Sequence, residues 1–283
     1  MQKSKDKRKR VLFWALQNKQ LAFGIILVAL ILFMGIAAPM VAPNDPLEVK
    51  VGNKLAPPSV RYPLGTDQLG RCILSRVIWG TRSSLTYSLI VLFSMLAISV
   101  PVGIVSGYFG GKIDQLLMRA IDIFMAFPST ILALAIAGIL GPSAKNLLLA
   151  MICVWWTGYA RVVRGMVLQL KEQNFILAAK AAGCSRWKII WKHLGRNILS
   201  PLLILSTLEV GSIILSISGF SFIGLGAQAP APEWGIMLSD SRKFLQTEPQ
   251  LMIYPGIAII LTVVAFHLLG EGLQRTLGKR VSL

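Results

Sequence analysis

Five stretches of this chain, residues 20–44, 83–111, 123–144, 210–232 and 249–270, each run for more than twenty residues without one charged side chain. Crossing the hydrocarbon of a bilayer takes about 20 apolar residues in a helix. A water-soluble fold could not build its surface from such runs. Only 14% of the 283 residues are charged, against roughly 25% in an ordinary soluble domain. A sixth, shorter run at 146–160 reaches spanning length if Arg161 and Arg164 extend their charged ends to the interface. The chain therefore reads as an all-α integral membrane protein with about six transmembrane helices, at about 21–42, 83–106, 119–140, 146–165, 197–224 and 251–272.

The net charge of +17 would suggest nucleic acid in a soluble protein. Here the positive charge lies between the apolar runs. With the N-terminus inside and the spans alternating, 20 of the 29 Lys and Arg fall inside, which matches the excess of positive charge on cytoplasmic loops. That topology places both termini in the cytoplasm of a multi-pass cell-membrane protein, with the lipid bilayer and no nucleic acid as its surroundings. The first run exceeds the 7–15 residue core of a signal peptide and reads as an uncleaved anchor. The basic stretch before it, within residues 1–20, suits anionic lipid. Cys72, Cys153 and Cys184 are scattered and suggest neither a disulfide framework nor a zinc site.

Between the spans, residues 67–79 are expected to form a short interfacial helix. Gly103, Gly107 and Gly111 stand four residues apart, a spacing that lets helix backbones approach closely. Two readings stand: a tight interface within a transporter bundle, or ordinary packing with a flexible helix end at the last glycine. Two connections are long, 166–196 inside and 225–250 outside. In the first, the alanine-rich run from Asn174 favours a helix and Gly183 its stop. After it, Trp187, Ile190, Trp191 and Leu194 fall on one helical face, with Arg186, Lys188 and Lys192 mostly away from it. This predicts a second short, basic, amphipathic helix at a membrane interface. A surface loop without a partner and a loop built to insert into another protein are equally open on spacing alone.

This loop resembles the cytoplasmic coupling loop of ABC-importer permeases. Its Glu-Ala-Ala motif is matched by Leu177-Ala178-Ala179, with Ala182-Gly183 at the motif's glycine. Further matches follow the dipeptide/oligopeptide/nickel permease family: Leu64-Gly-Thr-Asp-Gln-Leu-Gly-Arg71, Gly107-Tyr-Phe-Gly-Gly111, Asp114, Asp122, Phe127-Pro128, Tyr159-Ala-Arg161, Ser221-Phe-Ile-Gly-Leu-Gly226 and Glu233-Trp-Gly235. The resemblance implies a type I ABC-importer permease fold. It implies a permease core at 83–275 with its coupling loop at 166–196. Residues 1–82 precede the core, carrying the basic N-terminus, the first span and an extracytoplasmic segment, and a cytoplasmic tail follows at 276–283. It also implies a second permease subunit, two ATPase subunits carrying ATP and Mg, and an extracytoplasmic solute-binding protein. Two departures, Leu177 at the acidic position and Gly195-Arg196 at the usual Leu-Pro, look like the nickel-import branch. Nickel or a metal-chelate complex is therefore the expected cargo, with di- or oligopeptides as the alternative.

No catalytic constellation is visible. Gly278-Lys279-Arg280 lacks the upstream glycine and the following Ser or Thr of a P-loop, so ATP hydrolysis belongs to partners and the chain binds no cofactor of its own. An autonomous channel or secondary transporter is disfavoured by the missing inverted repeat and by the dedicated loop. Glu209, about 18 Å along the fifth span, is a candidate for the translocation path, the other reading being a neutral or hydrogen-bonded carboxyl between helices. His267 is a weaker candidate metal ligand, since no His, Cys and carboxylate cluster forms a tight site. Glu271 lies near the inner end of the sixth span. The ten Met lack ligand spacing and suit packing. Pro230, Pro232, Glu233 to Gly235 and Asp240 suggest an ordered outer lid, a plain connection being the alternative.

Overall fold

The computed structural model describes residues 19–277. The basic N-terminal stretch and Gly278 to Arg280 lie outside the described residues. The elements are helical: α1 Lys19–Ile36, α2 Ile73–Phe109, α3 Gly111–Met125, α4 Ser129–Leu140, α5 Ala144–Lys171, α6 Asn174–Ala181, α7 Arg186–Phe222, α8 Trp234–Ser241 and α9 Gln250–Leu277. Five are long and apolar enough to cross a membrane, or six if the bent pair α3–α4 counts as one span. This is the expected all-α membrane architecture.

Several boundaries differ from expectation, each for a local reason. The first span does not run to residue 42: α1 stops at Ile36, and Pro39 starts a separate turn, Ala38–Val41. No separate helix covers residues 67–79. Turns lead to Ile73, where α2 begins and continues for 37 residues, about 55 Å at 1.5 Å per residue. Pro101 sits inside α2, a placement that transmembrane helices tolerate. The third span is broken, with α3 and α4 meeting at 76°. Pro128 causes this, because it lacks an amide and its ring drives Phe127 out of the helical region.

The amphipathic segment at 185–194 is likewise no separate helix. It forms the start of α7, where Ile189–Leu194 winds as a π-turn before the α-helix resumes at Gly195. With glycine and arginine in place of Leu-Pro, nothing there stops the helix. The π-turn widens the period and splits the expected face. Ile189, Ile190 and Leu194 are buried, whereas Trp187 and Trp191 keep 67% and 75% of their surface exposed.

The chain divides into two compact units. One comprises the described residues up to Leu89, Pro142–Lys145 and those from Thr207 onwards; the other comprises Ile90–Gly141 and Asn146–Ser206. In the first, α1 lies against α9 through paired glycines. A Cβ on Gly24 would come 2.6 Å from the Leu269 amide nitrogen, and one on Gly272 would come 2.6 Å from the Leu21 Cα. Gly80 makes room for the buried indole of Trp234, whose Nε1 donates to the Val77 carbonyl at 3.0 Å. In the second unit, Gly103 and Gly107 of α2 lie against α5 at Ala160, Val163 and Val167, while Gly111 meets nothing. The first two glycines thus serve an interface. The third serves the α2–α3 turn, with a φ of +56°.

A Cβ on Gly103 would sit 2.6 Å from the Ala160 carbonyl oxygen, a backbone atom that cannot swing aside. Gly103→Ala is expected to cost about 1–3 kcal/mol through overpacking, read as a lower midpoint of thermal unfolding in detergent. Gly138→Ala, where a Cβ meets nothing within 4 Å, is expected to leave the midpoint unchanged or raise it.

Candidate functional site

Helix α6 is anchored by two residues and offers the rest. Ile176 and Ala179, one turn apart, sink into an apolar cluster with Val163 and Val167 of α5 and Ile189, Ile190, Leu194 and Ile198 of α7. Phe175, Leu177, Ala178, Ala181 and Ala182 face outwards, Leu177 with 46% and Phe175 with 40% of its surface exposed.

The helix closes in a full Schellman turn. The Cys184 amide donates to the Ala179 carbonyl and the Gly183 amide to the Lys180 carbonyl, both at 3.0 Å. The turn requires a φ of +75° at residue 183, which glycine adopts readily. Ser185 then caps the next helix by accepting from the Lys188 amide at 3.3 Å. Of the expected coupling residues, Leu177, Ala178, Ala182 and Gly183 are exposed, and Ala179 is turned into the cluster.

Ion pairs fasten α3 to α5 in the same unit. Arg164 Nε and Nη2 each donate at 2.6 Å to the two carboxylate oxygens of Asp114, a bidentate geometry. The Ser106 hydroxyl donates to the same carboxylate. Arg161 pairs with Asp122 on a more exposed face. Each of these two arginines of α5 thus meets a carboxylate of α3.

The other unit holds a second charged network. Arg71 and Arg76, both buried, share Asp67 at 2.6 and 3.5 Å, and Arg71 reaches Asp240 of α8 at 3.3 Å. Arg76 also donates to the carbonyls of Pro46 and Pro230, both at 3.2 Å. Glu233 caps α8, accepting from the amides of Gly235 and Ile236 at 2.9 and 3.1 Å. Burial pushes its carboxyl above the ordinary value, and those amide bonds oppose the shift. The segment 228–250 is therefore ordered around α8, through a charged network that spacing did not reveal. Its members Asp67, Arg71, Glu233 and Asp240 stand in stretches that the sequence singles out, but their pairing spans up to 169 residues.

Glu209 is partly buried on α7 and engaged in an interaction within the chain. Its neighbour Leu208 lies against Gly270 of α9. His267 is exposed on α9, beside Gly211. Among the described residues no three of His, Cys, Asp and Glu gather closely enough to hold a metal ion. What the arrangement presents is an anchored helix α6 with an exposed outer face, and charged joints elsewhere.

The chain is similar to known proteins. Residues 99–283 match the family described as binding-protein-dependent transport system inner membrane component. The chain is 40% identical to a dipeptide transport system permease protein of Alkalihalophilus pseudofirmus, over 94% of this chain and 87% of that protein. It is 42% identical to a metal-staphylopine import system permease protein of Staphylococcus aureus, over 94% and 92%. It is 36% identical to a nickel transport system permease protein of Escherichia coli, over 88% and 90%. In fold it resembles a chain of the inward-facing MetNI methionine ABC transporter, with a TM-score of 0.54 and 17% identity, over 71% of this chain and 95% of that one.

Alanine at residue 183 would have to hold the left-handed conformation at a cost of about 1–2 kcal/mol. Gly183→Ala is expected to speed hydrogen exchange of the Gly183 and Cys184 amides roughly 5- to 30-fold, measured by mass spectrometry on the purified protein.

Proposed function

This chain belongs to the family of binding-protein-dependent transport system inner membrane components, and within it we propose that it forms one half of the membrane pore of an importer carrying nickel or a metal-chelate complex. It is a multi-pass permease subunit of an ABC importer in the dipeptide/nickel family. The observation that carries the mechanism is helix α6: small exposed side chains on a helix pinned by Ile176 and Ala179 and closed at Gly183. Such a helix inserts into a groove of a partner and passes force into α5 and α7, because the same cluster joins all three.

ATP and Mg belong to two ATPase subunits. Their closure moves Leu177, Ala178, Ala182 and Gly183 as one piece, with Ala179 transmitting the motion inwards. A second permease subunit completes the pore, and an extracytoplasmic solute-binding protein delivers the cargo. Both termini and α6 lie on the cytoplasmic side, in keeping with the excess of Lys and Arg there. Glu209 contributes a weak acidic contact to the path, and His267 is a lesser candidate. Selectivity then rests mainly with the binding protein, since a conduit that binds tightly traps its cargo.

Support for a metal cargo comes from Leu177 and Gly195-Arg196, and from relatives named for nickel and for metal-staphylopine. A relative named for dipeptide transport, at 40% identity, supports the peptide reading equally. Uptake of radioactive nickel by cells with and without this chain separates them. Loss of nickel uptake on deletion, insensitive to excess dipeptide, is the expected result. Normal nickel uptake with lost dipeptide uptake would establish the peptide reading.

The coupling assignment has its own test. Ala178→Trp adds a bulky ring to an exposed position without touching the anchoring cluster. It is expected to leave the chain folded and its permease partner bound, and to lower uptake at least about tenfold, or roughly 1.4 kcal/mol of coupling. Unchanged uptake would remove α6 from the coupling path.

A further inference from the structure

A groove of about 600 Å³ runs between the second half of α2 and the start of α7. Its walls are apolar, with Ile104 and Phe109 on one side and Leu199 and Leu202 on the other. Trp187, Trp191 and Arg196 line it as well. Both indoles are largely exposed, although the segment that carries them belongs to a membrane protein. Between residues 173 and 208 there are five Lys and Arg and no Asp or Glu. Among the described residues, none of Arg186, Lys188, Lys192 and Arg196 takes part in an ion pair.

From this juxtaposition we infer that the groove is a binding site for an anionic phospholipid. Its acyl chains lie along the α2 and α7 walls, and its phosphate meets Arg196 and Lys192. Apolar walls alone would suit any hydrophobic occupant. The indoles and cations select among them, because tryptophan rings favour the headgroup level and each Lys or Arg near an anionic surface attracts it measurably. An apolar helix from another subunit would fill the walls and leave Arg196, the one cation among the described residues that line the groove, unanswered. The π-turn Ile189–Leu194 helps to build the site, since it rolls Trp187 and Trp191 out of the buried face and onto the groove. The inference rests on membrane placement and on neither the cargo nor the coupling role of α6.

The test uses the assembled importer in vesicles of phosphatidylcholine, doped at equal mole fraction with acyl-brominated phosphatidylglycerol or acyl-brominated phosphatidylcholine. Bromine quenches nearby indoles. The difference in emission between the natural chain and the Trp187→Phe/Trp191→Phe variant isolates these two rings. The expected result is stronger quenching by the brominated phosphatidylglycerol, its apparent affinity falling about fivefold with each of Lys192→Gln and Arg196→Gln. Mass spectrometry of lipid retained through purification, which needs no Trp variant, should show phosphatidylglycerol depleted in the double Gln variant. Equal quenching by both brominated lipids would mean ordinary surrounding lipid and overturn the site. No quenching by either would mean that protein covers the groove, and would overturn it too.

Discussion

Apolar side chains gain almost nothing by leaving lipid tails for one another, so helices in a bilayer adhere through closeness of their backbones. Most of this structure follows from that constraint. Gly24 and Gly272 bring α1 and α9 together, each lying where the other helix's backbone would meet a Cβ. Gly103 and Gly107 do the same for α2 and α5. Because helices satisfy their own backbone hydrogen bonds, dispersion contacts over these close approaches are left to supply the cohesion. The positions that matter most are therefore the ones with the smallest side chains.

Charge supplies the joints that apolar packing cannot. Taking a carboxylate or guanidinium out of water is costly unless it is paired. Asp114 with Arg164, and Asp67 with Arg71 and Arg76, are pairs of this kind. Each fixes a geometry: the first sets how α3 runs along α5, and the second ties the segment before α2 to α8. Helix α6 is held differently, since two buried side chains fix it to α5 and α7 while its outer face stays exposed.

Much of this was legible in the residues. Uncharged runs marked the spans because hydrocarbon leaves so few alternatives, and Gly183 marked the end of α6 because the turn demands a left-handed residue. Other features were hidden by the physics that produced them. Pro128 sits within an apolar run long enough to cross in one piece, so length outweighed the break. The period of 3.6 residues grouped Trp187 and Trp191 with Ile190 and Leu194, and only a widened turn could separate them. Arg164 and Asp114 lie 50 residues apart, and no local pattern records a pairing at that separation. Glu209 was conspicuous as a lone acid in an apolar helix, but which neighbour it answers is a matter of packing.

The glycine contact between α1 and α9 also bears on how the chain is made. The first described helix leaves the ribosome long before the last, so during synthesis its close-packing face waits in the membrane without its mate. Only when α9 has been inserted can Leu21 and Gly24 settle against Leu269 and Gly272. The contact thus waits on the insertion of the stretch from Leu269 to Gly272. Without Leu269, Gly24 has no backbone to pack against, so the first described helix gains its place only through the last.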